Sequence, residues 1–503
     1  MIKEIQHETQ KLRAELNPTQ TFQLDKMINY LADVLGDQNF QDLIDQRDIE
    51  RLEKCKNLIK SIYRLLREKE IDSAGLKEYF ATKEFWDWEV GERKIELVDE
   101  KFSDSCIPID APYFSADGEK YALRIKDSVS NHKGLVVNGV PWDFFRSDSD
   151  VKFNISNDGS TVAACFKDEK GYFYVVNNKA WTDHFPNAGR ARTPRINKDG
   201  SIVAVDAAKR RNEVFVVNDE IWPGEFVRIS FTRFSPDNKR VAANVYFDKT
   251  PNLTVIVDKK KWDNVFRACT EPFISPDSQK VAVGAYRDGE GCTIFVDDQQ
   301  EWKWKKEYKK IADLAWSPDS KKLAARVYKS SGYTIWQDQK EWSSDFGDCE
   351  YLQFSPDSQK LAATVTLKVG DNDYYLAIDG KVDTNNVVIG SYSWSPDSQK
   401  IAHQTMIEVQ RRIKVGADIW QTIINGNTTL AWSPDSQKLA VIDSYTFLED
   451  PRYKIIINDQ ELPDIYKDLK NLTFSPDSRL IMFIAQKEDG QWYRIVKDIS
   501  NIK

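Results

Sequence analysis

Histidine and cysteine are the residue types from which a catalytic or metal site would first be built, and here both are scattered. The histidines are His7, His132, His184 and His403. Each is isolated in sequence, so we expect surface or core roles rather than general acid–base or metal chemistry. The cysteines are Cys55, Cys106, Cys165, Cys269, Cys292 and Cys349. They form no C-x-x-C pair, which argues against zinc or iron–sulfur ligation and predicts reduced thiols.

Short catalytic motifs are missing or incomplete. The string closest to the hydrolase elbow G-x-S-x-G is GSYSW at 390–394, which lacks the second glycine and lies in a predicted strand. The sequence contains no Walker loop, no G-x-G-x-x-G and no H-E-x-x-H. GDND at 370–373 resembles part of a calcium loop but lacks its distal Glu. We therefore predict a protein that is not an enzyme, with no catalytic, cofactor-binding or metal-binding residues.

One aspartate recurs with its neighbours in a fixed pattern, S-P-D-S in its commonest form. It occurs at Asp117, Asp158, Asp199, Asp237, Asp277, Asp319, Asp357, Asp397, Asp435 and Asp477. Ten carboxylates could form a ring, but a turn explains every copy. Proline presets φ, and the carboxylate accepts hydrogen bonds from nearby backbone N–H groups. We expect these aspartates to be structural.

The spacing of this motif predicts the fold. Successive copies lie 38 to 42 residues apart, and a strand-rich period near forty is typical of a β-propeller. The segment 314–347 gives two strands around the SPDS turn, a third strand YTIWQDQ and a fourth strand EWSSDF. Four antiparallel strands make one blade. Residues 93–503 are thus predicted to form a ten-repeat propeller, either one ten-bladed ring or two stacked five-bladed rings.

The ring needs a closing strand, because the tenth repeat ends after three strands. Residues 94–105 are predicted to complete it by pairing with the last blade, which would remove an exposed sheet edge. One aromatic column follows the third strand: Trp142, Trp181, Trp222, Trp262, Trp302, Trp342 and Trp420. At one residue in a blade, this column predicts packing between blades rather than a ligand cage.

Residues 1–92 differ in kind from the repeats. Apolar residues three and four apart in the stretches 1–16, 20–36 and 48–70 predict amphipathic helices. The expected architecture is therefore an all-β propeller with a small N-terminal all-α domain. The helices could form a bundle of their own or bury their apolar faces on another chain.

Charge and hydropathy limit the partners. The net charge of −8 is spread along the chain, so nucleic acid and anionic membranes would not attract it. The start carries no apolar signal region, and eighteen apolar residues nowhere run together. A cytoplasmic protein without direct membrane insertion is expected. The variable loops between second and third strands, such as 368–373 and 406–412, are expected to form the binding surface.

The S-P-D-S/G-x-K-L/V-A repeat of residues 94–503 resembles the TolB-like or WD40-like propeller family. FWDWEVGERKIE at 85–96, with VVNGVPW and VVNNKAW hairpins, resembles the cytoplasmic propeller subunits of transmembrane electron-transfer complexes in sulfate-reducing bacteria. That resemblance implies a subunit without its own redox centre, bound to protein partners and reaching the inner membrane only through them. We expect a non-catalytic interaction scaffold; the alternative is a small-molecule or peptide binder using the central channel.

Overall fold

The computed structural model describes residues 86–99, 102, 104–144, 151–185, 192–209, 212–247, 252–302, 308–342, 345–447 and 450–502. The chain divides into two compact regions, Met1–Trp86 and Asp87–Lys503. The description below concerns the second region. The helices predicted for 1–92 lie outside the described residues, except that strand structure already begins at Gly91. Within the described ranges, no helix is long and apolar enough to span a membrane.

The described part of the second region is built from short strands. The strands of its first half are β1 (Gly91–Ile95), β2 (Cys106–Pro108), β3 (Tyr113–Phe114), β4 (Tyr121–Asp127), β5 (Lys133–Val137), β6 (Val140–Pro141), β7 (Lys152–Ile155), β8 (Val162–Asp168), β9 (Gly171–Val176), β10 (Lys179–Ala180), β11 (Arg195–Ile196), β12 (Val203–Lys209), β13 (Asn212–Val217), β14 (Glu220–Ile221), β15 (Arg228–Phe234), β16 (Val241–Tyr246), β17 (Leu253–Val257), β18 (Lys260–Lys261), β19 (Ala268–Cys269), β20 (Phe273–Ile274), β21 (Val281–Arg287), β22 (Gly291–Val296) and β23 (Gln299–Trp302).

The second half continues in the same pattern. Its strands are β24 (Lys310–Trp316), β25 (Leu323–Lys329), β26 (Gly332–Gln337), β27 (Lys340–Glu341), β28 (Cys349–Phe354), β29 (Leu361–Val365), β30 (Tyr374–Ile378), β31 (Lys381–Trp394), β32 (Ile401–Ile407), β33 (Gln410–Val415), β34 (Asp418–Ile419), β35 (Asn427–Trp432), β36 (Leu439–Phe447), β37 (Asp450–Ile457), β38 (Gln460–Tyr466), β39 (Asp468–Phe474), β40 (Leu480–Gln486) and β41 (Trp492–Asp498).

Each sequence repeat folds into its own antiparallel set of strands. We call the sets units 1 to 10, numbered by the order of their S-P-D-S-type turns. In most units four strands follow one another, as in β24-β25-β26-β27 of unit 6. Units 7 and 8 share the long strand β31, which ends one unit and begins the next within a seven-stranded sheet. This all-β series of small antiparallel sheets is the arrangement of a β-propeller, as the repeats predict.

The buried apolar side chains of each unit pack between its sheet and the sheet of a neighbouring unit. The second strands read as small and branched apolar residues, such as Leu361–Val365, which is buried throughout. The tryptophan that follows the third strand packs on the next unit: Trp342 of unit 6 contacts the cluster holding Phe354 and Leu361 of unit 7. Trp142 packs in the same way on Phe153 of unit 2. The predicted role of this column in packing between blades is confirmed.

The last unit contains a strand from the start of the described chain. β1 pairs antiparallel with β41, from Gly91 opposite Val496 to Ile95 opposite Trp492. The pairing strand therefore lies earlier than the 94–105 predicted from sequence. Beyond Ile95 the chain turns to unit 1, where the N–H of Asp99 donates to the carbonyl of Gly139 at 2.9 Å. The all-polar run of Gly91–Lys94 hid this strand, because its side chains are exposed and show no alternation.

Units 10 and 1 are also in direct contact. The Asn471 side chain donates to the carbonyl of Ser115 at 2.7 Å, and Lys470 donates to the carbonyl of Pro112 at 3.2 Å. Arg494 Nε donates to the carbonyl of Asp117 at 2.9 Å. First strands of successive units touch elsewhere in the series too, as Trp316 Nε1 does with the carbonyl of Phe273 at 3.0 Å. First strands of neighbouring units therefore contact one another at these places.

The closure makes a testable claim about Ile95. Its side chain is buried at 7% exposure, whereas that of Lys94 is exposed. Ile95→Ala should lower the free energy of unfolding by roughly 2–5 kcal/mol, since it opens a cavity in the last unit. Lys94→Ala, on the same strand, should change it by less than about 0.5 kcal/mol. Urea unfolding of both variants checks this; equal stability would contradict closure by β1.

Candidate functional site

The repeated Ser–Asp turn is a closed hydrogen-bonded unit. In unit 7, Ser355 Oγ donates to Asp357 Oδ1 at 2.5 Å, and the same carboxylate oxygen accepts the N–H of Gln359 at 3.0 Å. Ser355 Oγ in turn accepts the N–H of Lys360 at 2.9 Å. These bonds bridge the first and second strands, and one carboxylate oxygen is engaged in them. The structural role predicted for these aspartates agrees with this geometry.

A second function of the turn joins neighbouring units, and sequence reasoning missed it. The last Ser of one S-P-D-S accepts the backbone N–H of the turn Asp in the preceding unit; Ser278 Oγ accepts from Asp237 at 3.0 Å. The bond recurs in Asp277–Ser320, Asp319–Ser358, Asp357–Ser398, Asp397–Ser436 and Asp435–Ser478. These serines are nearly inaccessible, with Ser278 at 2% exposure. The Ser–Asp turns of units 4–10 are thus bonded to one another in series.

The carboxylates of these turns are held in the charged form. Hydrogen bonds from the Ser355 hydroxyl and from the Gln359 N–H lower the pKa of Asp357. The pKa is also lowered in Asp237, Asp277, Asp319, Asp397, Asp435 and Asp477. Among the described residues, no three His, Cys, Asp or Glu side chains come together as a metal site.

The described histidines lie in different units. His184 Nε2 lies 3.1 Å from Asp168 Oδ2, and its ring lies beside Phe173 with 5.1 Å between centroids. His403 is buried at 2% exposure, and desolvation lowers its pKa. His132 is half-buried in a loop of unit 1. His7 lies outside the described residues.

The cysteines are dispersed in the same way. The five that lie in the described ranges carry free thiols: Cys106, Cys165, Cys269, Cys292 and Cys349. Desolvation raises the pKa of Cys165, Cys269 and Cys349 to about 12. A thiol with so high a pKa is almost entirely protonated at neutral pH and is a poor nucleophile. Cys55 lies outside the described residues.

The other sequence motifs take part in local hydrogen bonds and ion pairs that stabilise the fold. In the GDND loop, Asp371 Oδ2 accepts the N–H of Lys368 at 3.0 Å, which is a local turn bond. The GSYSW string lies in β31, where Tyr392 donates its hydroxyl to the carbonyl of Tyr351 at 2.6 Å. Arg190, Arg192 and Arg195 form a basic cluster in the sequence. Arg192 pairs with Glu213 at 2.5 Å, and Arg195 donates to Thr232 at 2.8 Å. Arg190 lies outside the described residues.

The first strands depart from regular pairing at one shared position. The ladder shifts register between Ser230 and Arg233, between Glu350 and Gln353, and between Lys470 and Thr473. At two of these bulges a large aromatic residue has a left-handed backbone: Phe231 with φ 54° and Tyr351 with φ 52°. Their exposed fractions are 45% and 48%. Bulges re-aim side chains, and bulky residues at positive φ are strained.

Buried polar side chains of two second strands bind the start or middle of the first strand region of the next unit. Asn244 of unit 4 donates to the carbonyl of Thr270 in unit 5 at 2.9 Å, and Gln404 of unit 8 donates to the carbonyl of Gly426 in unit 9 at 3.0 Å. Both donors occupy the fourth position of a second strand. Each satisfies a carbonyl that no regular ladder reaches. In β16 the signal for this role was a single buried polar residue in an apolar strand, whereas β32 also carries His403 and Thr405.

The turns and loops at the two ends of the strands differ in the residues that they expose. Because antiparallel strands alternate in direction, the Ser–Asp turns and the third-to-fourth hairpins share one edge, which we call the turn edge. The loops between second and third strands share the opposite edge, the loop edge. There Val129, Val369 and Val409 are 90%, 71% and 93% exposed. Exposed valine side chains thus lie at the loop edge, whereas ordered internal bonds lie at the turn edge.

Comparisons with known proteins give likenesses at the level of solved structures alone. No protein-family model matches the chain, and no curated protein does. A eukaryotic initiation factor structure is 13% identical, with TM-score 0.40, covering 74% of this chain and 91% of its own. A Kuenenia stuttgartiensis hydrazine synthase chain is 14% identical, with TM-score 0.26, covering 54% of this chain and 95% of its own. The β-propeller domain of the Trilobed protease from Pyrococcus furiosus, described as having an open velcro topology, is 14% identical, with TM-score 0.31, covering 62% of this chain and 97% of its own.

The bond between units predicts a stability loss at Ser278. Ser278→Ala removes the acceptor of the Asp237 N–H and should lower the free energy of unfolding by about 1–2 kcal/mol. Its backbone, at φ 63°, strains Ala as much as Ser. Ser330→Ala, at an exposed loop position, is the matched control and should be neutral. Chemical unfolding checks the pair, and a neutral Ser278→Ala would count against the cross-link.

The lowered pKa of Asp357 predicts that the stability difference between wild type and Asp357→Asn depends on pH. A carboxyl whose folded pKa is depressed stabilises the fold above its unfolded pKa of about 3.9, and that stability is lost as pH falls through the folded pKa. Asp357→Asn keeps an acceptor but cannot ionise. The variant should be less stable than wild type at pH 7, and the gap should shrink below about pH 4. Unfolding measured from pH 7 to pH 2.5 tests this, and a constant gap would refute it.

Proposed function

We propose that this protein is a non-catalytic interaction scaffold whose contact surface is the loop edge of the sheets. The observation that carries the proposal is the contrast between the two edges. Aspartate and serine at the turn edge are engaged in bonds within and between units, as at Asp237 and Ser278. The loop edge instead exposes single aliphatic tips such as Val409, at 93%. Rigid scaffolds with variable exposed loops are the usual basis of protein recognition.

The scaffold is proposed to be one ten-bladed ring. Support comes from the contacts of unit 10 with unit 1, through Lys470 and Asn471, and from the pairing of β1 with β41. Two stacked five-bladed rings would divide the series between units 5 and 6. At that boundary, unit 6 instead contacts unit 5 through the Trp316 side chain. A single closure at the two ends of the series favours the single ring.

The partners proposed are proteins, in particular subunits of a membrane-associated electron-transfer complex at the cytoplasmic side. The resemblance of residues 85–96 and of the VVNGVPW and VVNNKAW hairpins to propeller subunits of such complexes supports this. The acidic balance of −8 disfavours nucleic acid and anionic lipid surfaces as partners. In this role the chain supplies geometry, and its partners supply the redox cofactors.

The second candidate function is a small-molecule or peptide binder at the centre of the first strands. The observation that favours it is the pair of exposed, left-handed aromatics, Phe231 and Tyr351. Aromatic faces stack on planar or cationic groups. Strain of this kind persists only where surrounding structure holds it, and it concentrates at functional sites.

A purification from the native organism separates the two functions. The tagged full chain should retain membrane redox subunits in constant ratio, and the variant Phe231→Ser/Tyr351→Ser should retain them equally. A chain that stays alone, is thermally stabilised by a metabolite and loses that stabilisation in the double variant would favour the central binder. Turnover of a substrate by the purified chain would contradict the scaffold proposal.

A further inference from the structure

The junction between units 10 and 1 is built differently from the junctions within units 4–10. In those junctions a serine hydroxyl accepts the N–H of the preceding turn Asp, as Ser358 does from Asp319 at 3.0 Å. Unit 1 has Gly118 at the equivalent position. A Cβ there would collide with Ile484 Cδ1 of unit 10, so the close approach of the two units requires glycine. This turn therefore has no hydroxyl for the neutral bond between units.

Charged groups join the two units in place of that hydroxyl. Arg494 of β41 is buried, with 4% of its side chain exposed, and its Nε donates to the carbonyl of Asp117 at 2.9 Å. The same Nε lies 3.0 Å from Glu119 Oε1. The other oxygen of Glu119 pairs with Arg93 of β1 at 2.5 Å. One carboxylate of unit 1 thus contacts both strands of the closing ladder, β41 through Arg494 and β1 through Arg93.

Two more contacts of charged side chains hold the chain at β1. Arg494 Nη2 donates to the carbonyl of Asp87, just before β1 begins. Lys487, in the loop that precedes β41, pairs with Glu92 of β1. Together with the pair that Glu119 makes, these contacts bind β1 and its approach to units 10 and 1.

β1 lacks the support that the outer strands of other units have. The outer strand of unit 4, β18, follows β17 through a two-residue turn and is itself followed by the buried Trp262. β1 joins its sheet without a turn, since Glu92 and Lys487 are 395 residues apart. Its residues Gly91–Lys94 are exposed, and Ile95 alone is buried. Charged contacts therefore carry a larger share of the binding of this strand, and salt screens contacts between exposed charges.

We propose that β1 is a detachable closing strand, which Glu119 holds in the last sheet and which leaves that sheet while the other units stay folded. Loss of the Glu119 charge would release Arg93 and leave the buried Arg494 without its carboxylate, which is costly for a buried cation. Once detached, β1 leaves the edge of β41 open to another extended strand. The inference concerns the last sheet and does not depend on the partner proposed above.

The test is hydrogen exchange of the full chain, in wild type and in Glu119→Gln, which keeps the side-chain shape and removes the charge. Exchange of Gly91–Ile95 should be roughly tenfold faster in the variant, because weaker contacts raise the population of the locally open state. Exchange of Leu361–Val365, in unit 7, should stay unchanged. Raising NaCl from about 0.05 M to about 1 M should speed exchange of β1 in wild type and have less effect in the variant.

The matched control is Glu220→Gln, which removes an exposed ion pair with Lys259 at 2.7 Å between units 3 and 4. This control should leave exchange of β1 as in wild type. Arg93→Gln removes only the exposed contact of Glu119 and decides the matter if Glu119→Gln does not fold, since it too should speed exchange of β1. Unchanged exchange of β1 in the folded variants overturns the proposal. Equal acceleration in β1 and in Leu361–Val365 also overturns it, because the chain would then open as a whole.

Discussion

The pairing of β1 with β41 is the interaction on which the arrangement of all other units depends. Every unit buries its apolar faces against the units on either side, so a series with two free ends would leave two faces unburied. Five residues, Gly91–Ile95, complete the last sheet and let it meet unit 1. In the proposed ring, this short ladder completes the last sheet, so that the interfaces between successive units can act as one cooperative body.

In the repeated Ser–Asp turn, the same residue has two structural roles. The carboxylate of Asp357 orders its own turn, and the backbone of the same residue binds Ser398 of the next unit. The turn that stabilises one unit is therefore also bonded to the following unit. Because these groups are engaged along units 4–10, chemistry at the turn edge is limited, and variation between units is concentrated at the loop edge and on the first strands.

The sequence predicted those features that local pattern controls. The Ser–Asp turns and the tryptophan column follow from residues repeated at fixed offsets, and turn chemistry and apolar size act locally. The bond from Asp237 to Ser278 could not be predicted, because it spans two units whose relative orientation is a tertiary property. The bulges at Phe231 and Tyr351 gave no signal, since neither residue type favours a left-handed backbone. The closing strand was placed too late because Gly91–Lys94 shows no apolar alternation.

The departures from the repeat share a physical character that bears on function. Phe231 and Tyr351 on first strands and Val409 at the loop edge have backbone conformations that their side chains disfavour, at a cost of roughly 1–3 kcal/mol each. Glycine or asparagine at these positions would fold more easily, as at Gly390, in the bulge of unit 8. An architecture with many near-identical interfaces can hold such strain, because each strained residue is over-determined by regular strands on both sides. The strained residues at these positions are therefore exposed side chains that regular strands on both sides hold in place.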